Sequence, residues 1–346
     1  MTERINLKDL KLNEMEELIV SLGEPKFRAK QIFAWLYKGV DSFDQMTNVP
    51  ANLKNKLAEA GADLGILKPL KVQVSKLDGT RKYLFELGDG NAIESVFMKY
   101  KYGNTICVSS QAGCRMGCKF CASTIGGLCR NLTAGEIIEQ LLAAERDTGE
   151  PINHIVVMGT GEPFDNYENL SKFISIINDK NGRNLGMRNI TVSTCGLAPM
   201  IEKFGNDFPQ VNLAISLHAP NDAIRSQSMP VNKRWSIDEL LKACRDYIDA
   251  TGRRISFEYA MIDGLNDSDA CAEELGNRLR GMLCHVNLIP VNAVEGKKQK
   301  RSSKERIRSF MDILEKKGIN VTVRRTLGSD INASCGQLRR QQVENQ

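Results

Sequence analysis

Six short apolar runs separated by amphipathic stretches constrain this chain more than any other feature. From about residue 92 onward, TICVSS, INHIVVMG, NITVSTCG, VNLAISLHA, RISFEYAMI and CHVNLIPVN each read as a strand, and helical periodicity follows, as at 134–145 and 237–250. Strands that are apolar almost throughout are buried on both faces, which points to a parallel sheet covered by helices. Six units fall short of the eight that close a barrel, so we expect an α/β fold, a partial (β/α)6 TIM-like barrel, with its chemistry where loops leave the C-terminal ends of the strands. Ahead of it, Leu7, Leu10, Met15, Leu18, Ile19 and Leu22 recur at helical spacing, and Phe27–Leu36 reads as a second amphipathic helix. RKYLFELGDGNAIESVFMKY alternates like a hairpin about a Gly-Asp-Gly-Asn turn. The expected division is a small, mainly helical accessory domain with a hairpin linker over 1–91 and the main domain over 92–346.

The conspicuous residues fall at the strand ends. After the first strand, QAGCRMGCKFCAST places Cys114, Cys118 and Cys121 at C-x3-C-x2-C spacing. Thiolates select zinc, copper(I) or iron–sulfur centres, and structural zinc takes four ligands, so a trio suggests an iron–sulfur cluster with one iron open. Two other readings stand at this point: a zinc site completed by Cys107, Cys129 or Cys335, and plain burial of small apolar side chains. The second strand ends in Gly159-Thr160-Gly161-Glu162-Pro163, the third at Ser193, the fourth in Ser216-Leu217-His218 and the sixth at Asn292. Such polar groups can line a small-ligand pocket, although each alone could cap a helix.

Composition narrows the class. With 346 residues, 42% hydrophobic and 26% charged, the chain can bury a sizeable core, and no apolar stretch approaches membrane-spanning length. The charged start MTERINLKDLKLNEMEELIV lacks an export signal, which places the protein in the cytoplasm with no membrane partner. There ten cysteines stay reduced, which favours metal or catalytic roles for some of them; Cys195, Cys244, Cys271 and Cys284 read as packing residues. Lys plus Arg number 47 against 42 Asp plus Glu, a mild excess that permits an anionic partner. The run GKKQKRSSKERIR over 296–308 and the smaller set Lys26, Arg28 and Lys30 beside Phe27, Phe33 and Trp35 read either as solvated faces or as phosphate contacts.

The cysteine loop after the first strand, with Gly-Glu-Pro after the second, resembles the radical S-adenosylmethionine superfamily. CVSSQAGCRMGCKFCAST, RNLTAGEI, GTGEPFDN, ISLHAPN, NLIPVN and DINASCGQLR narrow the resemblance to the RlmN/Cfr family of RNA adenosine methyltransferases, over most of residues 94–340. The resemblance implies a radical-SAM-type partial barrel with an RNA-binding N-terminal domain. It implies a [4Fe–4S] cluster on Cys114, Cys118 and Cys121, and S-adenosylmethionine bound by Gly161, Glu162, Ser193, Ser216, Leu217, His218 and Asn292. Cys335 matches the cysteine that carries the methyl group, Cys107 the cysteine that resolves the protein–RNA adduct, and Glu94 the proton acceptor.

The implied reaction is methylation of C2 of an adenosine in 23S rRNA, and of an adenosine in the tRNA anticodon loop, with two S-adenosylmethionine molecules consumed per turnover. Adenine C2 is an electron-poor sp² carbon, so polar methyl transfer is disfavoured and a radical route through a methyl-cysteine avoids that barrier. A Cys107–Cys335 disulfide forms each cycle and must be reduced. The implied partners are the RNA and an electron donor such as ferredoxin or flavodoxin, acting on a monomer. Two alternatives are C8 methylation of the same rRNA adenosine, as in Cfr-type antibiotic resistance, and a non-catalytic zinc protein that binds RNA.

Overall fold

The structure is a computed structural model that describes residues 4–291 and 300–331. The short strand β1 (Ile5–Asn6) opens the chain and is followed by α1 (Leu12–Ser21), α2 (Phe27–Leu36) and α3 (Ala51–Glu59); β2 (Ala62–Asp63) returns to pair in parallel with β1. The first two helices match the expected periodicity, and their apolar stripes, including Met15, Ile19, Ile32, Phe33 and Leu36, are buried in the same core as the rest of the chain. This module is fixed to its neighbour by charge. Fully buried Lys8 pairs with fully buried Glu139 and donates to the Leu64 carbonyl at 2.6 Å, and the Asp9 carboxylate accepts from Gly135 N at 2.6 Å.

A meander of β3 (Lys68–Val74), β4 (Arg81–Glu86) and β5 (Ala92–Tyr100) follows, and β5 pairs antiparallel with β6 (Gly103–Cys107). The expected hairpin is therefore β4–β5, and residue 92 lies inside one continuous sheet. The cysteine loop comes next, enclosed by the hairpin β7 (Gln111–Gly113) and β8 (Leu128–Asn131).

Helices and strands then alternate: α4 (Ala134–Thr148), β9 (His154–Val157), α5 (Tyr167–Asn178), β10 (Ile190–Thr194), α6 (Ala198–Asp207) and β11 (Asn212–Ser216). After α7 (Asp222–Ser228) and α8 (Ile237–Thr251), the pattern resumes with β12 (Ile255–Met261), α9 (Asp269–Leu279), β13 (Cys284–Pro290), α10 (Lys304–Lys316) and β14 (Asn320–Val323). All six expected strands are present as β6, β9, β10, β11, β12 and β13, parallel and adjacent in that order. The sheet has ten strands, because β14 adds a parallel edge on one side and β3–β5 an antiparallel extension on the other.

Local sequence explains the helix ends. Thr133 and Ser236 open α4 and α8 with side chains that accept from the N–H of Glu136 and Glu239, whose carboxylates reach back to the cap N–H groups. Alternation divides the strands between two layers: Ile106, Val108, Ile155 and Val157 join the main core under the helices, whereas Cys107, Val156 and Met158 face the inner side of the sheet. The inner side carries the site.

Candidate active site

At the C-terminal ends of the strands lies a cavity of about 300 Å³ whose wall includes Cys114, Cys118, Cys121, Gly161, Glu162, Ser193, Ser216 and His218, a volume typical of small-molecule sites. Cys114 and Cys118 are buried and Cys121 half-buried. The loop that carries them is fastened from several sides: Cys114 N donates to Gly127 O at 3.0 Å, Lys119 N to Ser228 O at 2.8 Å, and Thr124 Oγ1 to Cys121 O at 3.0 Å. Gln111 Nε2 donates to Asp165 at 2.9 Å, linking the loop to the segment after β9.

Burial pushes the Cys114 thiol up to about 12, and burial with the charges of Cys121 and Cys114 pushes Cys118 higher still. The charges of neighbouring cysteines contribute to both shifts, so the sulfurs of this loop lie close to one another, and Cys114 and Cys118 lose their protons readily only to a metal. Among the described residues, no three His, Cys, Asp or Glu side chains converge on one point as a single metal ion requires. A fourth cysteine, Cys195, lines the same cavity, and its backbone N–H donates to the Glu162 carboxylate at 2.7 Å. The donor set fits a cluster held by three cysteines.

Glu162 stands at the centre of the wall. Its Oε2 accepts from Cys195 N at 2.7 Å and its Oε1 from Phe164 N at 3.0 Å, while its own N–H donates to Gln111 Oε1 at 2.8 Å. Burial raises its carboxyl, and the hydrogen bonds from Cys195 and Thr194 oppose that. The carboxylate thus ties the end of β10 to the end of β9. Gly161 has φ +114°, and a Cβ there would lie 2.7 Å from Gln111 Cβ, so the cavity wall is drawn tight by a residue without a side chain.

His218 is one of two non-glycine residues at positive φ among the described residues (+56°). Fully buried Asn266 holds it there, donating to His218 O at 2.8 Å and to Ala260 O at 2.7 Å. His218 Nδ1 accepts from Ala260 N at 2.9 Å, and burial, then Arg225, depresses the imidazole to about 3. The ring is neutral with its proton on Nε2, a donor fixed toward the cavity. Arg225, fully buried, donates to the carbonyls of Cys195 (2.7 Å), Ser216 (3.1 Å) and Leu217 (3.1 Å), so a single guanidinium joins the ends of β10 and β11.

Cys107 lies on the inner side at the end of β6, beside Val96 and Met98, and Met158 belongs both to this cluster and to the cavity wall. Glu94 sits two residues from Val96, the residue paired with Cys107, and forms a buried ion pair with Lys82 at 3.0 Å. Burial raises the Cys107 thiol to about 11, against the pull of Arg324 and Lys82.

Among the expected site residues, Leu217 stands apart: it is buried, and its N–H goes to Glu258 O at 3.1 Å. Asn292 and Cys335 lie outside the described residues. Cys195, expected as a packing residue, is buried in the main core and also reaches the cavity wall, and among the wall residues that the sequence reading did not single out are Glu258 and Arg324. Glu258 could have been noticed as a lone carboxylate in the apolar run RISFEYAMI, whereas nothing in the sequence marks Arg324. Among the described residues no disulfide is formed, and no helix there is long and apolar enough to cross a membrane.

Residues 5–62 match the family model described as the ribosomal RNA large subunit methyltransferase N-terminal domain, and residues 108–273 that of the radical SAM superfamily. The chain is 56% identical over 343 residues to a probable dual-specificity RNA methyltransferase RlmN of Alkaliphilus oremlandii, covering 99% of this chain and 100% of that protein. It is 53% identical over 345 residues to the protein of the same name in Clostridium tetani, covering 100% and 99%. A crystal structure of a radical SAM methyltransferase from Sphaerobacter thermophilus, 49% identical, superposes with a TM-score of 0.92 over 96% of this chain and 98% of that one. The three-cysteine loop, the wall built by Gly161 and Glu162 and the helical module all belong to one design, and the chain is accordingly a member of the RlmN family of radical S-adenosylmethionine RNA methyltransferases, which work with a [4Fe–4S] cluster and S-adenosylmethionine.

Proposed function

We propose that this enzyme methylates C2 of a specific adenosine in 23S rRNA, and of an adenosine in the tRNA anticodon loop, through a methyl group carried on Cys335 and released by Cys107. The observation that carries this reading is the placement of Cys107 and Glu94 on one inner face of the sheet, next to the cavity whose wall includes Cys114, Cys118 and Cys121. A radical SAM enzyme that only cut its cofactor would have no use for a further thiol and carboxylate there.

Cys114, Cys118 and Cys121 would hold the cluster, and Gly161, Glu162, Ser193, Ser216, His218 and Asn292 the S-adenosylmethionine, which together supply one-electron chemistry and the methyl group. The chain's own residues do the rest. The Cys335 sulfur carries the methyl carbon to the adenine ring; the methyl gives up one hydrogen atom, and the adduct one electron, to that one-electron chemistry, and the new carbon–carbon bond links protein and RNA. Glu94, paired with Lys82, takes the proton from the ring carbon. Cys107 then forms an S–S bond with Cys335; the Cys335 carbon–sulfur bond breaks, and the carbon keeps the electron pair and takes up a proton to become the methyl group. Cys107 is a neutral thiol at rest, and the nearby cations of Arg324 and Lys82 favour the thiolate it must become.

The N-terminal module, within 1–91, is the proposed RNA-binding part. Phe27 is exposed with the Arg28 guanidinium 4.7 Å from its ring centre, an arrangement suited to stacking on an unpaired base, and Lys26 and Lys30 add positive charge. Residues 92–346 carry the chemistry. The protein is proposed to act in the cytoplasm as a monomer, with ferredoxin or flavodoxin supplying electrons.

The test is the product. Reconstituted enzyme given S-adenosylmethionine, a reductant and an RNA fragment containing the target adenosine should yield 2-methyladenosine on digestion and chromatography. Appearance of 8-methyladenosine instead would overturn the C2 assignment. Normal methylation by Cys335→Ala would overturn the methyl-carrier role.

A further inference from the structure

The two edges of the open sheet are β14 and β3, and the described residues after β14 run from one to the other. Arg324 continues the ladder by donating its N–H to Leu288 O at 2.9 Å and lies on the cavity wall. Leu327 packs against the Val96, Met98 and Cys107 cluster. The segment then reaches the turn between β3 and β4, and the two grip each other. Both carboxylate oxygens of Asp330 are used: Oδ1 accepts from Ser75 Oγ at 2.7 Å and Oδ2 from Lys76 N at 2.9 Å. In return Asp78 Oδ2 accepts from Gly328 N at 2.8 Å.

The turn is built to receive this. Ser75 is buried, its Oγ accepts from the N–H groups of Leu77 (3.2 Å) and Asp78 (3.3 Å), and its hydrogen is thereby left to point at Asp330. Ser75 N donates to Thr80 O at 2.8 Å and Thr80 N to Asp78 Oδ1 at 3.0 Å, so the turn is closed on itself. These contacts join residues 250 to 255 positions apart in the chain, each half offering the charged group that the other half's N–H groups need.

We propose that Ser75, Asp78 and Asp330 form a two-way clasp that acts as a positioning device, fixing the chain just ahead of Cys335 so that its thiol is held at a high effective concentration near Cys107. The proposal rests on the reading that these two cysteines react with each other. Its scale follows from chain reach. Cys335 is five residues beyond Asp330, a leash of at most about 17 Å, whereas with the clasp open the next fixed point upstream is Leu327, eight residues away, a leash of about 27 Å. Effective concentration falls as roughly the −3/2 power of leash length, so opening the clasp should lower it about twofold from length alone.

The experiment uses the full-length, cluster-loaded protein held anaerobically in mixtures of reduced and oxidised glutathione. There the Cys107–Cys335 disulfide forms as one glutathione disulfide is reduced to two thiols; samples are quenched by alkylation and the linked peptide is quantified by mass spectrometry. Asp330→Ala and Asp78→Ala should each loosen the clasp and the two combined should lower the effective concentration about twofold or more, whereas Asp330→Asn, which keeps an acceptor oxygen, should retain most of it. Trypsin cleavage after the exposed Arg324 and Arg325 should be faster in both alanine variants, a readout independent of either cysteine. An unchanged effective concentration in the combined Asp78→Ala, Asp330→Ala variant overturns the positioning role. Unchanged tryptic cleavage overturns the clasp itself. If the parent forms no Cys107–Cys335 disulfide at all, the cysteine assignment fails and the positioning role fails with it, while faster cleavage of the variants would still report the clasp.

Discussion

Substituting Gly161→Ala should abolish tight S-adenosylmethionine binding while leaving the cluster in place. An alanine at φ +114° is strained by about 1–3 kcal/mol whatever the space around it. Space is also lacking: the new Cβ would lie 2.7 Å from Gln111 Cβ and Ser110 Oγ and 2.8 Å from Gln111 N. The two segments cannot simply part, because Ser110 N and Gln111 N both donate to Thr160 O, at 2.9 and 3.1 Å, and Glu162 N donates to Gln111 Oε1 at 2.8 Å. Relief of the clash loosens these bonds, each worth about 1 kcal/mol. The total is about 3–5 kcal/mol at the cavity wall, and a loss of about 3 kcal/mol transmitted to binding is more than a hundredfold in Kd. Gly252→Ala is the control: φ there is +64° and nothing lies within 4 Å of a Cβ, so it should cost only about 1 kcal/mol of stability and leave binding unchanged. The assay is equilibrium dialysis of labelled S-adenosylmethionine against reconstituted protein of measured iron and sulfide content. Full affinity in Gly161→Ala would refute the view that this backbone forms the binding wall.

Other perturbations follow from the buried charges. Glu139→Gln removes the partner of fully buried Lys8 and should cost about 3 kcal/mol in denaturant unfolding. Burial already lowers the Lys8 amine, and removing Glu139, which raises it, lowers it further. Because the folded state then gives up its proton before the unfolded state does, the deficit is full below the folded value and shrinks as pH rises toward about 10.4; a pH-independent deficit would contradict this. Arg225→Lys keeps the charge but loses the fork that joins Cys195, Ser216 and Leu217, and should cost about 2–4 kcal/mol of stability and weaken S-adenosylmethionine binding. Unaltered thermal unfolding of that variant would show that the guanidinium does not hold the strand ends together.

The parts of the fold that were legible in the sequence are those whose residues are apolar on both faces. The strands β6, β9, β10, β11, β12 and β13 announce themselves because helices cover one side and the packed inner face the other. The edge strand β3 was missed since nearly all of it is exposed, with Leu70, Val72 and Val74 at 46%, 37% and 48%. At β14 only Val321 packs against the core, and burial is the signal that such reading depends on.

The site was legible as residue types at strand ends but not as a network. Cys195 packs in the core as its sequence context suggests, but its backbone N–H bond to Glu162, 33 positions away, is not legible there, and the left-handed backbone at His218 depends on Asn266, 48 positions away. Arg225 is another such case, an ordinary helical arginine in the sequence whose guanidinium is wholly buried. Long-range hydrogen bonds leave no trace in local composition.

The most direct test of the central claim is the fate of RNA on the Cys107→Ala enzyme. Reconstituted anaerobically and given S-adenosylmethionine, reductant and target RNA, this variant should accumulate a covalent protein–RNA species linked through Cys335, seen as a slow band on a denaturing gel and as a nucleotide adduct on the Cys335 peptide. Fully methylated RNA released from Cys107→Ala, with no adduct at any time, would contradict transfer through a methyl-carrying and a resolving cysteine.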